Sequence, residues 1–202
     1  RFSSFTLLLT GERIPWAETE IPGAATVEVG GFSRDGRWLV VSDRQSGSWD
    51  RRDLWLVPRG GGTPIRLTDN PGFDADPVWG PEGDTVYFVS DGGLARNPTR
   101  GLWRLRIHLR TGAARGSPVE VLSKAGQQLA RPAFVAGGTR LVYAVTEPDT
   151  RIVVADAGDL SRTNPVTRGQ DPVLSPDGET VYFSGETPEQ QGVFAIDRAG
   201  RT

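Results

Sequence analysis

The sequence predicts an all-β fold: a β-propeller of four-stranded antiparallel blades, with about four blades present. Three observations predict it. A phrase of apolar anchor, tight turn and β-rich strand recurs as Phe32-Ser33-Arg34-Asp35-Gly36, Trp79-Gly80-Pro81-Glu82-Gly83, Phe134-Val135-Ala136-Gly137-Gly138 and Leu174-Ser175-Pro176-Asp177-Gly178. The anchors at 32, 79, 134 and 174 are 47, 55 and 40 residues apart, which is the length of a blade. No segment of ten or more residues carries a helical period.

The second repeat shows each element in order. Residues 76–79 read as a short first strand, and Pro81 and Gly83 preset the turn that follows it. Residues 85–90, rich in β-branched and aromatic side chains, are the second strand. A loop over 91–100 leads to a third strand at 101–107, alternating from Trp103 onward. The turn Thr111-Gly112 precedes a fourth strand at 118–122. Further third strands are expected at 53–57, 151–154 and 192–196, and further fourth strands at 64–68 and 165–167.

Residues 5–23, moved forward by 49, fall on 54–72 without a gap. Phe5 meets Leu54, Pro15 meets Pro64, Thr19 meets Thr68, and Pro22-Gly23 meets Pro71-Gly72. The expected organisation is one propeller domain over 1–202. Residues 1–23 are the third and fourth strands of a preceding blade. Blades follow at 24–70, 71–124 and 125–168, with an incomplete one at 169–202. With no methionine in the chain, this predicts a piece of a larger propeller. It also predicts an open arc, or oligomers that cover its ends. Residues 14–20 are a poor candidate to complete the last blade, because Pro15 has no N–H for the ladder.

Composition narrows the function classes. The 202 residues are 37% hydrophobic, enough for one substantial core. A net charge of −2 gives no electrostatic footprint for nucleic acid or anionic membrane. No apolar run approaches the ~20 residues of a bilayer span, so direct membrane insertion is not expected. Cysteine is absent, which excludes disulfides and thiolate chemistry without choosing a compartment.

The turn acids Asp35, Glu82 and Asp177 read as hairpin-fixing groups. Asp74, Asp76 and Asp171 precede first strands, Asp43, Arg44 and Asp91 follow second strands, and Arg131 stands where Asp76 and Asp171 do. These seven are expected to share one rim and form the partner-binding face. A carboxylate ring can hold a hard cation, but Asp–Arg pairing explains the same pattern, and no Asp-x-Asp-x-Asp-Gly loop is present. No cofactor is implied. His108 is the single histidine and has no Gly-x-Ser-x-Gly companion, so a hydrolytic triad is not expected and the chain reads as non-enzymatic. Trp49 is the one tryptophan in a polar, arginine-rich loop, where it has the composition of an interface hot spot.

The run Pro64-Ile65-Arg66-Leu67-Thr68, Pro71-Gly72, Asp76-Pro77-Val78-Trp79, Pro81-Glu82-Gly83 and Tyr87-Phe88-Val89-Ser90-Asp91 resembles the TolB-type propeller repeat. Leu174-Ser175-Pro176-Asp177-Gly178 and Ser42-Asp43-Arg44 are the nearest copies of its turn and strand end. Arg34, Glu82 and 135–138 depart from it. The resemblance implies a closed ring of six to eight blades and a scaffold that binds a protein or peptide. It equally implies the gating propeller of a prolyl-oligopeptidase-like serine peptidase, or the sensory propeller of a bacterial membrane-linked regulator. A bacterial, periplasmic or otherwise extracytoplasmic setting follows from the resemblance only. The remaining partners implied are the rest of a parent propeller, or self-association through open edges.

Overall fold

Successive β-rich segments fold back on one another in this chain because each is cut off by a turn that only glycine or proline accommodates easily. A computed structural model describes residues 6–8, 13–15, 19–48, 51–93, 99–135, 137–146, 150–186 and 191–198. Those residues form seventeen strands and no helix. A hairpin of β1 (Thr6–Leu8) and β2 (Arg13–Pro15) comes first. The first blade has β3 (Ala24–Phe32), β4 (Trp38–Gln45), β5 (Leu54–Pro58) and β6 (Ile65–Arg66). The second has β7 (Asp74–Trp79), β8 (Thr85–Ser90), β9 (Gly101–His108) and β10 (Ala113–Leu122). The third has β11 (Gln128–Phe134), β12 (Arg140–Thr146), β13 (Thr150–Asp156) and β14 (Asp159–Arg168). The last has β15 (Gln170–Leu174), β16 (Thr180–Glu186) and β17 (Gln191–Asp197). Each sheet is an antiparallel meander in chain order, which is the blade of a propeller. Among the described residues β17 bonds only β16, and Arg13–Pro15 pairs with Thr6–Leu8 rather than with β17.

The core lies between blades. Val40, Leu54 and Leu56 of the first blade meet Val86, Phe88, Leu105 and Ile107 of the second. Tyr87, Val89 and Leu102 on the other face of the second blade meet Leu141, Tyr143 and Val145 of the third. Val142, Ile152 and Val154 meet Leu174, Val181 and Ile196 of the last. Second and third strands of the second and third blades are thus covered on both faces, and each such side chain contributes about 1.5–3 kcal/mol by leaving water. Two indoles stitch the first seam: Trp38 Nε1 donates to the Leu109 carbonyl at 2.6 Å, and Trp79 Nε1 to the Gly31 carbonyl at 3.1 Å.

The recurring turn has a local chemistry of its own. Ser33 Oγ accepts the Trp38 N–H at 3.0 Å and donates to Asp35 at 2.6 Å, while Asp35 also accepts the Arg37 N–H. Ser175, Asp177, Glu179 and Thr180 repeat the arrangement in the last blade. The serine hydroxyl is what holds both carboxyls below their usual range. In the second blade glycine replaces the serine, and Glu82 instead accepts the Tyr87 hydroxyl at 2.8 Å. The third copy lacks the acid and ends in Gly138, at φ +68°, where a Cβ would stand 1.9 Å from that of Pro81. Contact with the neighbouring blade's turn therefore requires glycine there.

Candidate functional site

The first strand of a blade lines the channel side, and in the second, third and last blades it carries the same irregularity. The ladder breaks between Ala75 and Val78, between Ala130 and Ala133, and between Gln170 and Val173. Each break contains a charged residue followed by proline: Asp76-Pro77, Arg131-Pro132 and Asp171-Pro172. Proline fits a bulge because it has no N–H to leave unpaired. The residue before it is pushed out of the right-handed region. In this fold it takes the left-handed one, with φ of 51°, 53° and 49°. No other described non-glycine residue has positive φ. Each instance costs about 1–2 kcal/mol, so the surrounding ladder enforces it.

The bulges bring the three side chains into one row. The Arg131 N–H donates to Asp76 Oδ2 at 2.9 Å, and Arg131 Nε stands 3.9 Å from Asp76 Oδ1 and 3.4 Å from Asp171 Oδ1. Ser184 Oγ donates to Asp171 Oδ2 at 3.1 Å. Asp76 is largely covered, with 12% side-chain exposure, whereas Arg131 and Asp171 keep 56% and 59%. The result is an alternating anion–cation–anion strip across three blades, with its cation and one anion open to solvent. Asp171, expected just ahead of its strand, lies within it, and the first strand read from Asp76 onward starts at Asp74; Asp76 and Asp171 both stand at the bulge.

Asp43, Asp74 and Asp91, expected on an open rim, are buried. Asp43 lies inside β4, accepts the Asp53 N–H at 2.8 Å, and gives its own N–H to the Asp53 carbonyl. Asp53, fully buried, holds Arg66 at 2.6 Å and Arg51 at 3.8 Å. Burial still outweighs Arg66 and raises the Asp53 pKa. Asp74 is 1% exposed and accepts Asn70 Nδ2 on Oδ2 at 2.7 Å, while Oδ1 has no hydrogen bond of normal geometry. Burial pushes its pKa up to about 6, against the Ser90, Thr68 and Asn70 donors and with the charge of Asp53 adding to the rise. Asp91 Oδ1 accepts the Gly93 N–H at 3.0 Å. Asp43 thus ties the end of β4 to Asp53, while Asp74 and Asp91 brace their own adjoining loops through Asn70 and Gly93. The same seam holds Phe73 between the guanidinium groups of Arg100, 3.7 Å from the ring centroid, and Arg52, at 5.3 Å.

Arg44 Nε donates to Thr26 Oγ1 at 3.3 Å on the first blade. Trp49 lies outside the described residues. The sequence reading passed over Asp53, although its position directly after Arg51-Arg52 and before a third strand was the available signal. Among the described residues no group of three or more His, Cys, Asp or Glu is placed to hold a metal ion. No helix among them is long and apolar enough to cross a membrane.

The meander blades, the inter-blade cores and the channel-side bulges define a propeller in a four-blade arrangement. Its solved relatives in shape are of the same class. TolB from Acinetobacter baumannii superposes with a TM-score of 0.73 at 20% identity, covering 96% of this chain and 45% of that one. One of two prolyl endopeptidases studied for inter-domain dynamics superposes with a TM-score of 0.59 at 19% identity, covering 84% of this chain and 24% of that one. In sequence the chain is 28% identical over 182 residues to an uncharacterized peptidase, YuxL, of Bacillus subtilis (strain 168), covering 89% of this chain and 24% of that protein. The chain therefore spans about a quarter of that relative and under half of the TolB structure. No protein-family model matches it.

Proposed function

We propose that this chain is a non-catalytic propeller module that binds an extended protein or peptide segment at the channel-side row Asp76, Arg131 and Asp171. One observation carries the reading. Three consecutive blades each spend backbone strain at the same position to aim a charged side chain into one strip. Strain kept at matching positions belongs with function more than with packing. A strip of alternating sign suits a segment with its own alternating charges, such as a lysine or arginine to meet Asp171 and a carboxylate to meet Arg131. The reading assigns no catalytic role to His108. Peptide or ester turnover abolished by His108→Ala would overturn that part of it.

The test is selection of a displayed peptide library on the chain, with parallel selection on Arg131→Glu. Peptides enriched on the first and depleted on the second are expected. Enrichment that ignores the charge reversal would refute the site.

A second reading is favoured by the similarity to a protein named a peptidase. The module would then be the propeller part of a serine peptidase, and the same strip would meet peptide substrates on their way to a catalytic domain. A Gly-x-Ser-x-Gly segment in an α/β-hydrolase region of the same gene would support it.

A further inference from the structure

The first two blades carry a tryptophan at the same place in the third strand, with different surroundings. Trp55 pairs with Val41 and Trp103 with Phe88, each two residues past the partner of its first-strand anchor. On the outer strand Trp55 pairs with Arg66. The Arg66 guanidinium lies over the Trp55 ring, 5.7 Å from its centroid, and Asp53 holds it there at 2.6 Å. Asp43 in turn accepts the Asp53 N–H. The first blade thus closes a carboxylate–guanidinium–indole unit from its own chain.

The second blade keeps the indole and changes its neighbours. Ser90 and Gly101 pair where Asp43 and Asp53 meet in the first blade. Glu120 pairs with Trp103 where Arg66 pairs with Trp55. Two carboxylates and a guanidinium are thus replaced by a hydroxyl, a hydrogen atom and a carboxylate. A cleft of about 370 Å³ lies at these positions, lined by Ser90, Gly101, Trp103 and Glu120 together with Thr99 and Ser123. No described Lys, Arg or His lines it. Trp55 is buried, whereas Trp103 is only partly covered and Glu120 is exposed. The Ser123 hydroxyl donates to Glu120 Oε1. The walls are tied down: the Gly92 N–H donates to Ser90 Oγ at 3.0 Å, and the Gly126 N–H to Thr99 Oγ1 at 2.9 Å. A Cβ at 101 would stand 2.7 Å from the Leu122 carbonyl oxygen, so glycine is required there. The cleft belongs to a blade with another packed on each face.

We propose that this cleft takes the basic side chain of a bound protein segment, its guanidinium or ammonium group over the Trp103 ring and its N–H groups on the Glu120 carboxylate. The chemistry is that of Arg66 in the first blade, with the cation supplied from outside and the carboxylate moved to the outer strand. Attraction of a cation to an indole face and a charge-assisted hydrogen bond act together on one group. The cleft stands on the third and fourth strands and the charged strip on first strands, so the proposal does not depend on what the strip binds.

Proton–nitrogen correlation NMR of the 202-residue chain tests it through the indole N–H signals, with Trp103→Phe assigning the one from Trp103. The probes are Nα-acetyl-arginine amide, Nα-acetyl-lysine amide and Nα-acetyl-citrulline amide, the last a neutral isostere of arginine. The Trp103 signal is expected to move saturably with the two cations, and citrulline to bind about fivefold or more weakly than arginine. Glu120→Gln, an exposed change on an outer strand, should weaken the arginine probe about fivefold or more and reduce its salt dependence. Asp171→Asn should leave the titration unchanged. A Trp103 signal that neither cation moves, citrulline binding as tightly as arginine, an affinity indifferent to Glu120→Gln, or a shift abolished by Asp171→Asn would each overturn the proposal.

Discussion

Asp74→Asn isolates the electrostatic cost of the seam between the first two blades. The carboxyl is 1% exposed, one of its oxygens has no hydrogen bond of normal geometry, and its pKa stands at about 6 against an ordinary 3.8. A raised carboxyl pKa means the folded state favours the neutral form. Ionisation therefore costs stability above the folded pKa, and the cost disappears as pH falls through 6 towards 3.8. At ~1.4 kcal/mol per tenfold change in proton affinity, the penalty is about 3 kcal/mol at pH ~7.5 and about 0.5 kcal/mol at pH ~4. Asparagine keeps the shape, can accept from Asn70 on its carbonyl, and never ionises. Its stability difference from the parent should move in the variant's favour by about 2–3 kcal/mol across that interval. Urea unfolding followed by tryptophan fluorescence at both pH values gives the two differences. Carboxyls held low by the turn serines titrate below this window, so they do not obscure it. A difference that stays constant with pH would refute the buried-charge account of Asp74.

Further outcomes follow from the turns. Gly138→Ala should destabilise by about 1–3 kcal/mol more than Gly126→Ala. Both have positive φ, but a Cβ at 126 meets open space and one at 138 meets Pro81; equal losses in urea unfolding would contradict the inter-turn contact. Ser33→Ala leaves the Trp38 N–H without its acceptor and should cost about 1–3 kcal/mol. The lowered Asp35 pKa adds stability that is present above 3.8 and lost as pH falls through the folded value. The Ser33→Ala deficit should therefore shrink below that pH, and a deficit growing on acidification would show the linkage reversed.

The fold was legible because its elements announce themselves by periodicity and punctuation. Residues 85–90 became β8 without change, and the repeated glycines 36, 83, 138 and 178 all take positive φ. Outer strands were read too short. Residues 118–122 belong to β10, Ala113–Leu122, and 165–167 to β14, Asp159–Arg168. Arg115, Ser161 and Asn164 are exposed on these strands, so backbone pairing holds them without any apolar pattern to read. The site was legible in part. Alignment of repeats put Arg131 beside Asp76 and Asp171, but a residue before proline reads as extended, and only the paired ladder shows the left-handed turn that aims it. Burial was the other invisible quantity: Asp43, Asp74 and Asp91 look like rim charges in the sequence, yet the next segment of chain covers them.

The central claim is that Arg131 and Asp171 read a bound segment. Calorimetric titration of a selected peptide into the parent chain, Arg131→Ala, Asp171→Ala and the double variant tests it most directly. Each single change is predicted to weaken binding about tenfold or more, with losses that do not add, because the two side chains also hold each other at 3.4 Å. Unchanged affinity in all three variants would contradict it.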